Sequence, residues 1–252
     1  MIKVSYAITT HNEGGYVKTL LDTLTTNLLA VGYEWEIVVL DDMSTEKDTL
    51  DAFEKHKSLI RLEQRAFGGD FATHKNHLSS LCVGDYIFQI DADELPSMNL
   101  VMNLEKVILA NNNVDVFDVP RVNTVVGIGK KHLVQWGWKI SSSPNLVKNQ
   151  LLQTETPYFE LLQENDLVMN YQMKDNGWAD VKFKVPIINW PDMQKRIWKN
   201  APDIRWEGRV HETLVGYKTI GTLPTALEFS LFHEKDIRRQ EHQNQLYANL
   251  QR

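Results

Sequence analysis

The sequence predicts an α/β fold with a mostly parallel central sheet and helices on both faces. Three observations predict it. Short apolar segments alternate with amphipathic helical segments over the first 110 residues. The connections are short, as consecutive βαβ units require. Three of the apolar segments also stop at polar or acidic clusters, residues 10–13, Asp41-Asp42 and residues 91–94. In such sheets, ligands bind beyond the carboxyl ends of the strands, so these clusters mark one functional edge.

Each element follows from its pattern. Residues 3–9, KVSYAIT, form a first strand, closed by Thr10-His11-Asn12-Glu13-Gly14-Gly15. Val17, Leu20, Leu21, Leu24 and Leu28 then recur at helical spacing. Residues 36–40, EIVVL, are β-branched and short, a buried strand stopping at Asp41. A helix over 47–57 and a short third strand over 60–64 come next. Residues 71–82 are helical, with Gly84 as a stop signal, and 86–90, YIFQI, form a further buried strand. Leu100, Leu104, Val107 and Ile108 mark another helix. The second half is less regular. Val116–Val126 reads as a strand and Gly127-Ile128-Gly129 as a turn. Residues 130–190, rich in aromatics and amides, read as short strands and loops. Residues 227–232 read as a late strand and Ile237–Leu250 as a polar helix.

Composition narrows the function classes. The 252 residues are 42% hydrophobic and 24% charged, which excludes disorder and low complexity as the main character. No repeat and no Pro/Gly/Ser linker divides the chain, so one large domain is expected. Lys+Arg number 27 against 33 Asp+Glu, a net charge of -6. That argues against attachment to nucleic acid or anionic membrane by bulk charge. The single cysteine, Cys82, makes no intrachain disulfide. No apolar run approaches a membrane span, and because the chain enters a strand pattern at once, no signal peptide is expected. A soluble, cytoplasmic protein is expected.

The acidic clusters carry chemistry. Asp91 and Asp93, two residues apart beyond a buried strand, are placed to share a hard divalent cation, which suits a diphosphate ligand. As an isolated pattern, such a pair is usually a solvated turn. Asp41-Asp42-Met43-Ser44 admits two readings: Asp or Ser capping the helix over 47–57, or Asp41 accepting an N–H from a nucleobase. Both can hold, with Ser44 capping and Asp41 binding. Lys75-Asn76 is either a solvated helix face or a cation set against a diphosphate.

The order of these motifs resembles the family 2 glycosyltransferases of the GT-A fold. Thr10-His11-Asn12-Glu13, Asp41-Asp42-Met43-Ser44, Lys75-Asn76, and Gly84-Asp85 followed by Asp91-Ala92-Asp93 match that family's run over about the first 100 residues. His11 replaces the usual aromatic and Lys75 the usual Arg, which keeps the charge but loses the bidentate fork. The second half resembles a branch related to lipopolysaccharide core β-glucosyltransferases. Pro191-Asp192-Met193-Gln194-Lys195-Arg196, Trp206-Glu207-Gly208-Arg209-Val210-His211-Glu212 and His233 carry that likeness. Residues 127–185 have no counterpart and read as an acceptor-specific insertion.

The resemblance implies an inverting transfer of a sugar from a nucleotide-diphosphate donor, a UDP-sugar favoured, to an acceptor hydroxyl. Residues 1–110 would form the nucleotide-sugar-binding half and 111–252 the acceptor-binding half. Mn²⁺ or Mg²⁺ would sit on Asp93, Asp91 and His233. Thr10, His11, Glu13, Asp41, Lys75, Asp91, Arg196 and His211 would bind the donor. Glu212 would be the general base, with Asp166, in Gln163-Glu164-Asn165-Asp166, in reserve. As bland readings, His211 would be a hydrogen-bonded core histidine and Glu212 a partner of Arg205 or Arg209. Rival functions fare less well. A dinucleotide-dependent oxidoreductase wants G-x-G-x-x-G after the first strand, which HNEGGY does not supply. An Asp-nucleophile phosphatase would carry its acid pair after the first strand, not the fourth. A non-catalytic nucleotide-sugar or glycan-binding protein would bind without turnover. Acceptors compatible with the sequence are a glycan, a lipid-linked saccharide, a protein side chain or a hydroxylated base in nucleic acid, the acidity weighing mildly against the last.

Overall fold

The computed structural model describes residues 1–141, 158–162, 166–170 and 187–250, with 158–162 and 166–170 described as backbone. The first half alternates as expected: β1 (Lys3–Thr10), α1 (Gly15–Leu28), β2 (Glu34–Asp41), α2 (Lys47–His56), β3 (Ile60–Gln64), α3 (Phe71–Leu81) and β4 (Tyr86–Asp91). A short β5 (Glu94–Pro96) and α4 (Met98–Ala110) follow. The second half comprises β6 (Val116–Val126), α5 (Lys130–Trp136), a hairpin of β7 (Tyr158–Leu162) and β8 (Asp166–Asn170), and a long β9 (Ile187–Lys199). Then come β10 (Arg205–Glu207), β11 (Thr213–Val215), β12 (Ile220–Thr222), β13 (Leu231–Asp236) and α6 (Ile237–Leu250).

The main sheet runs β3-β2-β1-β4-β9-β6-β13-β5, with β12 beside the start of β6. β1 to β4 are parallel to one another, and β9 inserts antiparallel between β4 and β6. Successive residues of the parallel strands face opposite sides, and both sides are buried. Val4, Tyr6, Ile8, Ile37, Val39 and Phe88 join one core with Leu20, Leu24, Leu100 and Leu104 of α1 and α4. Ala7, Val38, Leu40 and Ile87 face a second core with Leu78 of α3, Trp198 and Trp206. This explains the uninterrupted apolar runs: a strand covered on both faces needs no polar alternation.

The register fixes the functional edge. Thr10 pairs with Asp41, Asp41 with Gln64, and Thr9 with Asp91. The polar ends of four strands therefore stand in one row.

Local details differ from expectation in three places. Ser44 does not cap α2; the cap position is Glu46, with no side-chain bond, while Ser44 turns back to Asp41. The late strand starts after a 3₁₀ turn over Leu227–Phe229, because Ser230 bonds back to the carbonyls of Leu227 and Ala226. Within 130–190, where short strands and loops were expected, α5 forms, and the 13-residue β9 begins at Ile187. Apolar anchors hold β9 at its ends, with Ile187 and Ile188 buried at one and Ile197 and Trp198 at the other.

Gly84 ties β4 to β1, its N–H donating to Ser5 Oγ at 2.8 Å. A Cβ there would lie 2.7 Å from Ser5 N and 2.9 Å from the Lys3 carbonyl oxygen. Gly84→Ala should destabilise the protein by about 1–3 kcal/mol, because a buried backbone must shift. Thermal unfolding checks this; an unchanged melting temperature would contradict the packing described.

Candidate active site

At the ends of β1 and β2, hydrogen bonds between loops set the geometry. Asp41 is fully buried and accepts from Ser44 N at 3.0 Å, Ser44 Oγ at 2.5 Å and Gln64 Nε2 at 3.0 Å. It therefore organises the edge, and the more accessible carboxylate here is its neighbour Asp42. Asp42 accepts from Phe67 N at 2.8 Å, and its carbonyl oxygen lies 2.5 Å from His11 Nδ1. Asn12 Oδ1 accepts from Thr45 N and Glu46 N. Asn12 and Met43 take positive φ angles of 50° and 51°, and His211 one of 57°. Backbone held in this region by surrounding bonds is characteristic of functional loops. Thr10 is buried, its hydroxyl without a partner among the described residues.

The acids beyond β4 are bound into a network of cations. Arg196 is the extra residue of a β-bulge, since Phe117 pairs with Ile197 but Asp118 with Lys195. Bulges re-aim side chains, and here Arg196 Nη2 reaches Asp91 Oδ2 and Glu94 Oε1, each at 2.5 Å. Arg121 Nη1 donates to the same Glu94 oxygen at 3.0 Å. Burial would raise the Asp91 pKa, but Arg196 and Lys75 outweigh it and hold the group well below the usual carboxylate range. Arg196, expected at the donor, is thus a buried support beneath the acids.

Asp93 points elsewhere. Its Oδ2 lies 3.3 Å from His233 Nε2, 3.2 Å from Arg239 Nη2 and 3.6 Å from Lys235 Nζ. Burial opposes its ionisation, yet His233, Lys235 and Arg239 together keep it ionised. His233 is held on its other side by Asn123, whose Oδ1 is 2.8 Å from Nδ1. Asn123 Nδ2 donates to Asp192 Oδ2 at 2.8 Å, which fixes the amide so that Oδ1 accepts. His233 Nδ1 therefore carries a proton; burial disfavours the charged ring, and the Asp93 carboxylate opposes that shift. His233 Nε2 faces a carboxylate oxygen of Asp93, a place that a proton or a cation can fill.

That arrangement fits a divalent cation. A carboxylate with an imidazole suits Mn²⁺, and a histidine ligand ordinarily donates its second N–H to a support such as Asn123. Among the described residues, no group of three or more His, Cys, Asp or Glu is placed to hold a metal. Asp93 and His233 would therefore hold the ion with oxygens from a bound diphosphate, as Mg²⁺ and Mn²⁺ sites often do. Asp91, expected as a third ligand, is drawn onto Arg196.

Lys75 and Glu212 meet across the cleft, with Nζ to Oε1 at 2.5 Å. Lys75 lies over the Trp206 ring, 4.6 Å from its centroid, and Asn76 exchanges two 2.8 Å hydrogen bonds with the Trp206 backbone. The Lys-Asn pair thus docks β10 against α3. Glu212 pairs with neither Arg205 nor Arg209: Arg205 bonds Glu207, and Arg209 Nε donates to the Gly69 carbonyl. Glu13 lies at the same edge, paired with Arg239. His211 lies 5.6 Å, centroid to centroid, from Tyr247. Asp166 opens β8, paired with Leu162; its side chain lies outside the described residues.

Asn123, Lys235, Arg239 and Tyr247 escaped the sequence reading, and Asp42, Asp192 and Gln194, quoted there within motifs, were given no role. For Asp192 and Gln194 a signal existed. They stand two residues apart on a strand, hence on one face, and Gln194 Nε2 donates to Asp192 Oδ1 at 2.6 Å.

Comparison with known proteins gives a consistent result. The family model described as glycosyl transferase family 2 matches residues 5–167. Among curated proteins, poly(ribitol-phosphate) β-N-acetylglucosaminyltransferase TarP of Staphylococcus aureus (strain N315) is 29% identical over 98 residues, 38% of this chain and 29% of that protein. Among solved structures, S. aureus TarS 1–349 superposes with a TM-score of 0.52 at 16% identity, over 92% of this chain and 60% of that one. The same fragment in complex with UDP-GlcNAc gives 0.52 at 17% identity, over 93% and 59%. The chain spans less than two thirds of each of these relatives. Their likeness supports the expected GT-A type fold, and among the described residues no helix is long and apolar enough to cross a membrane. With the family model covering well over half of its length, the chain belongs to glycosyl transferase family 2.

Proposed function

We propose that the protein is an inverting, metal-dependent glycosyltransferase that moves a sugar from a nucleoside-diphosphate donor to an acceptor hydroxyl. The observation that carries the reading is the convergence of Asp93 and the Nε2 of His233, 3.3 Å apart, beside the row of polar strand ends. The nucleoside would lie against the loops holding Thr10, His11, Glu13 and Asp42, with Asp41 fixing their shape. The diphosphate would lie at Asp93 and His233. Mn²⁺ or Mg²⁺ held there would neutralise charge on the leaving diphosphate.

The chain's own residues would do the rest. Lys75 would exchange Glu212 for the diphosphate, which frees Glu212 to act as base. The acceptor oxygen would attack the anomeric carbon from the side opposite the diphosphate. The new carbon–oxygen bond forms as the carbon–phosphate-oxygen bond breaks, the acceptor proton passes to Glu212, and the electron pair leaves with the diphosphate. His211 would line this cleft. Asp166 is the reserve base. A UDP-sugar is the first donor to try, since the similar TarS fragment was solved in complex with UDP-GlcNAc.

Purified protein incubated with a panel of nucleotide sugars, with and without Mn²⁺, should release nucleoside diphosphate only with the ion. Asp93→Ala should abolish release. Binding without release would favour the non-catalytic alternative, and full release in excess chelator would contradict the metal assignment.

Glu212 and Lys75 have separable signatures. Glu212→Gln should lower turnover by about 10²–10⁴-fold with donor affinity near normal, the usual worth of a general base. Lys75→Met leaves the Glu212 charge without its partner. It should weaken donor binding and cost up to about 3 kcal/mol, the lower end for a buried pair, because both side chains keep some solvent contact. A Glu212→Gln variant with full turnover, alongside an inactive Asp166→Asn, would move the base to Asp166.

A further inference from the structure

α6 is a polar helix, yet its polar side faces the protein. Arg239, Gln243 and Tyr247 recur every fourth residue and so share one face, continuing from Lys235 at the end of β13. Lys235 Nζ donates to Gln243 Oε1 at 2.6 Å, and Gln243 Nε2 to Tyr247 Oη at 2.9 Å. Arg239 pairs with Glu13 and Asp93 and lies over the Tyr16 ring, 4.8 Å from its centroid. Tyr247 meets the rings of Phe71 and His211 at 5.8 and 5.6 Å. The helix therefore touches the β1–α1 loop through Arg239 and the loop before β11 through Tyr247. Its phenol stands close to the acids: burial raises the Tyr247 pKa, and Asp91, Glu212 and Asp93 all add to the rise against the Gln243 bond.

Apolar packing contributes little to this attachment. Among the described residues, Ile237 is the α6 residue that packs against a core cluster, and Leu246 is exposed. Ion pairs to Glu13 and Asp93 also hold the helix, and a charged ligand competes for these. Elements held in this way open and close at low cost.

The guanidinium of Arg239 is only partly used. Both acids are contacted through Nη2. Nε and Nη1 have no hydrogen-bond partner among the described residues, and the group lies over the Tyr16 ring. A planar fork with donors to spare suits phosphate oxygens. The charges also exchange evenly. A nucleoside diphosphate arriving with its cation offers Asp93 a positive partner and Arg239 a negative one, so neither the buried acid nor the half-buried cation is left unpaired.

We propose that Arg239 is a donor-diphosphate ligand carried on α6, which exchanges Asp93 for phosphate oxygens as the donor enters and thereby closes the helix over the site. The inference rests on the glycosyltransferase reading above, and the experiment separates the two. Wild-type protein and the variants Arg239→Gln, Arg239→Lys and Arg238→Gln are titrated calorimetrically with UDP and GDP, and with UMP and GMP, in Mn²⁺. Arg238 is exposed on the same helix and serves as control. Arg239→Gln should weaken diphosphate binding about 10–100-fold, the worth of charge-assisted hydrogen bonds, and monophosphate binding much less. Arg239→Lys should fall between, and Arg238→Gln should match wild type. Amide exchange over 237–250 should slow on nucleoside-diphosphate addition to wild type. Undiminished diphosphate affinity in Arg239→Gln would overturn the proposal while leaving the enzyme reading intact. Wild type that binds neither diphosphate would overturn both. Should Arg239→Gln not fold, unaltered affinity in Arg239→Lys together with unprotected 237–250 amides in liganded wild type would overturn it.

Discussion

The buried carboxylate of Glu94 is the constraint on which the site depends. It has no solvent exposure, and an unpaired charge in such a place is strongly destabilising. Arg196 and Arg121 both donate to its Oε1, while its Oε2 accepts the Asp91 backbone N–H at 3.1 Å. These bonds close the turn over 91–94 and tie it to β6 and β9. The spacing of Asp91 and Asp93 is therefore set from below. Asp91 is drawn onto Arg196, and Asp93 is left to face His233.

The same undercarriage orients the histidine. Asp192 on β9 receives Arg121 at 2.7 Å and Asn123 at 2.8 Å, and Asn123 then fixes His233. One antiparallel strand thus supplies Asp192 to orient His233 and Arg196 to balance the acids. Lys75, Lys235 and Arg239 complete the balance from above. Each is paired with an acid in the unliganded protein, so a diphosphate and its cation redistribute partners without creating unpaired charge.

The first half was legible because its information is local. Apolar runs such as EIVVL and YIFQI end at acids, and parallel pairing brings those ends into one row. Asp93 and His233 were singled out and lie together. What could not be read depends on distant pairing. Nothing near Lys75 signals that Glu212, 137 positions later, will meet it. Arg196 reads as a ligand-facing cation until a bulge places it beneath the acids. Asp41 reads as a binding carboxylate until Ser44 and Gln64 are seen to occupy it. α6 reads only as a polar helix, and it became part of the site through contacts with Glu13, Asp93 and His211.

The central claim is that Asp93 and His233 Nε2 bind a cation together with the donor's phosphates. Electron spin-echo spectroscopy of Mn²⁺ with the protein, without and with UDP, addresses it directly. Two protein donors alone make a weak site, so the account predicts little bound Mn²⁺ without nucleotide. With UDP it predicts tight binding with coupling to one imidazole nitrogen and to phosphorus. Mn²⁺ bound in the UDP complex without nitrogen coupling, or no bound Mn²⁺ with UDP present, would contradict it.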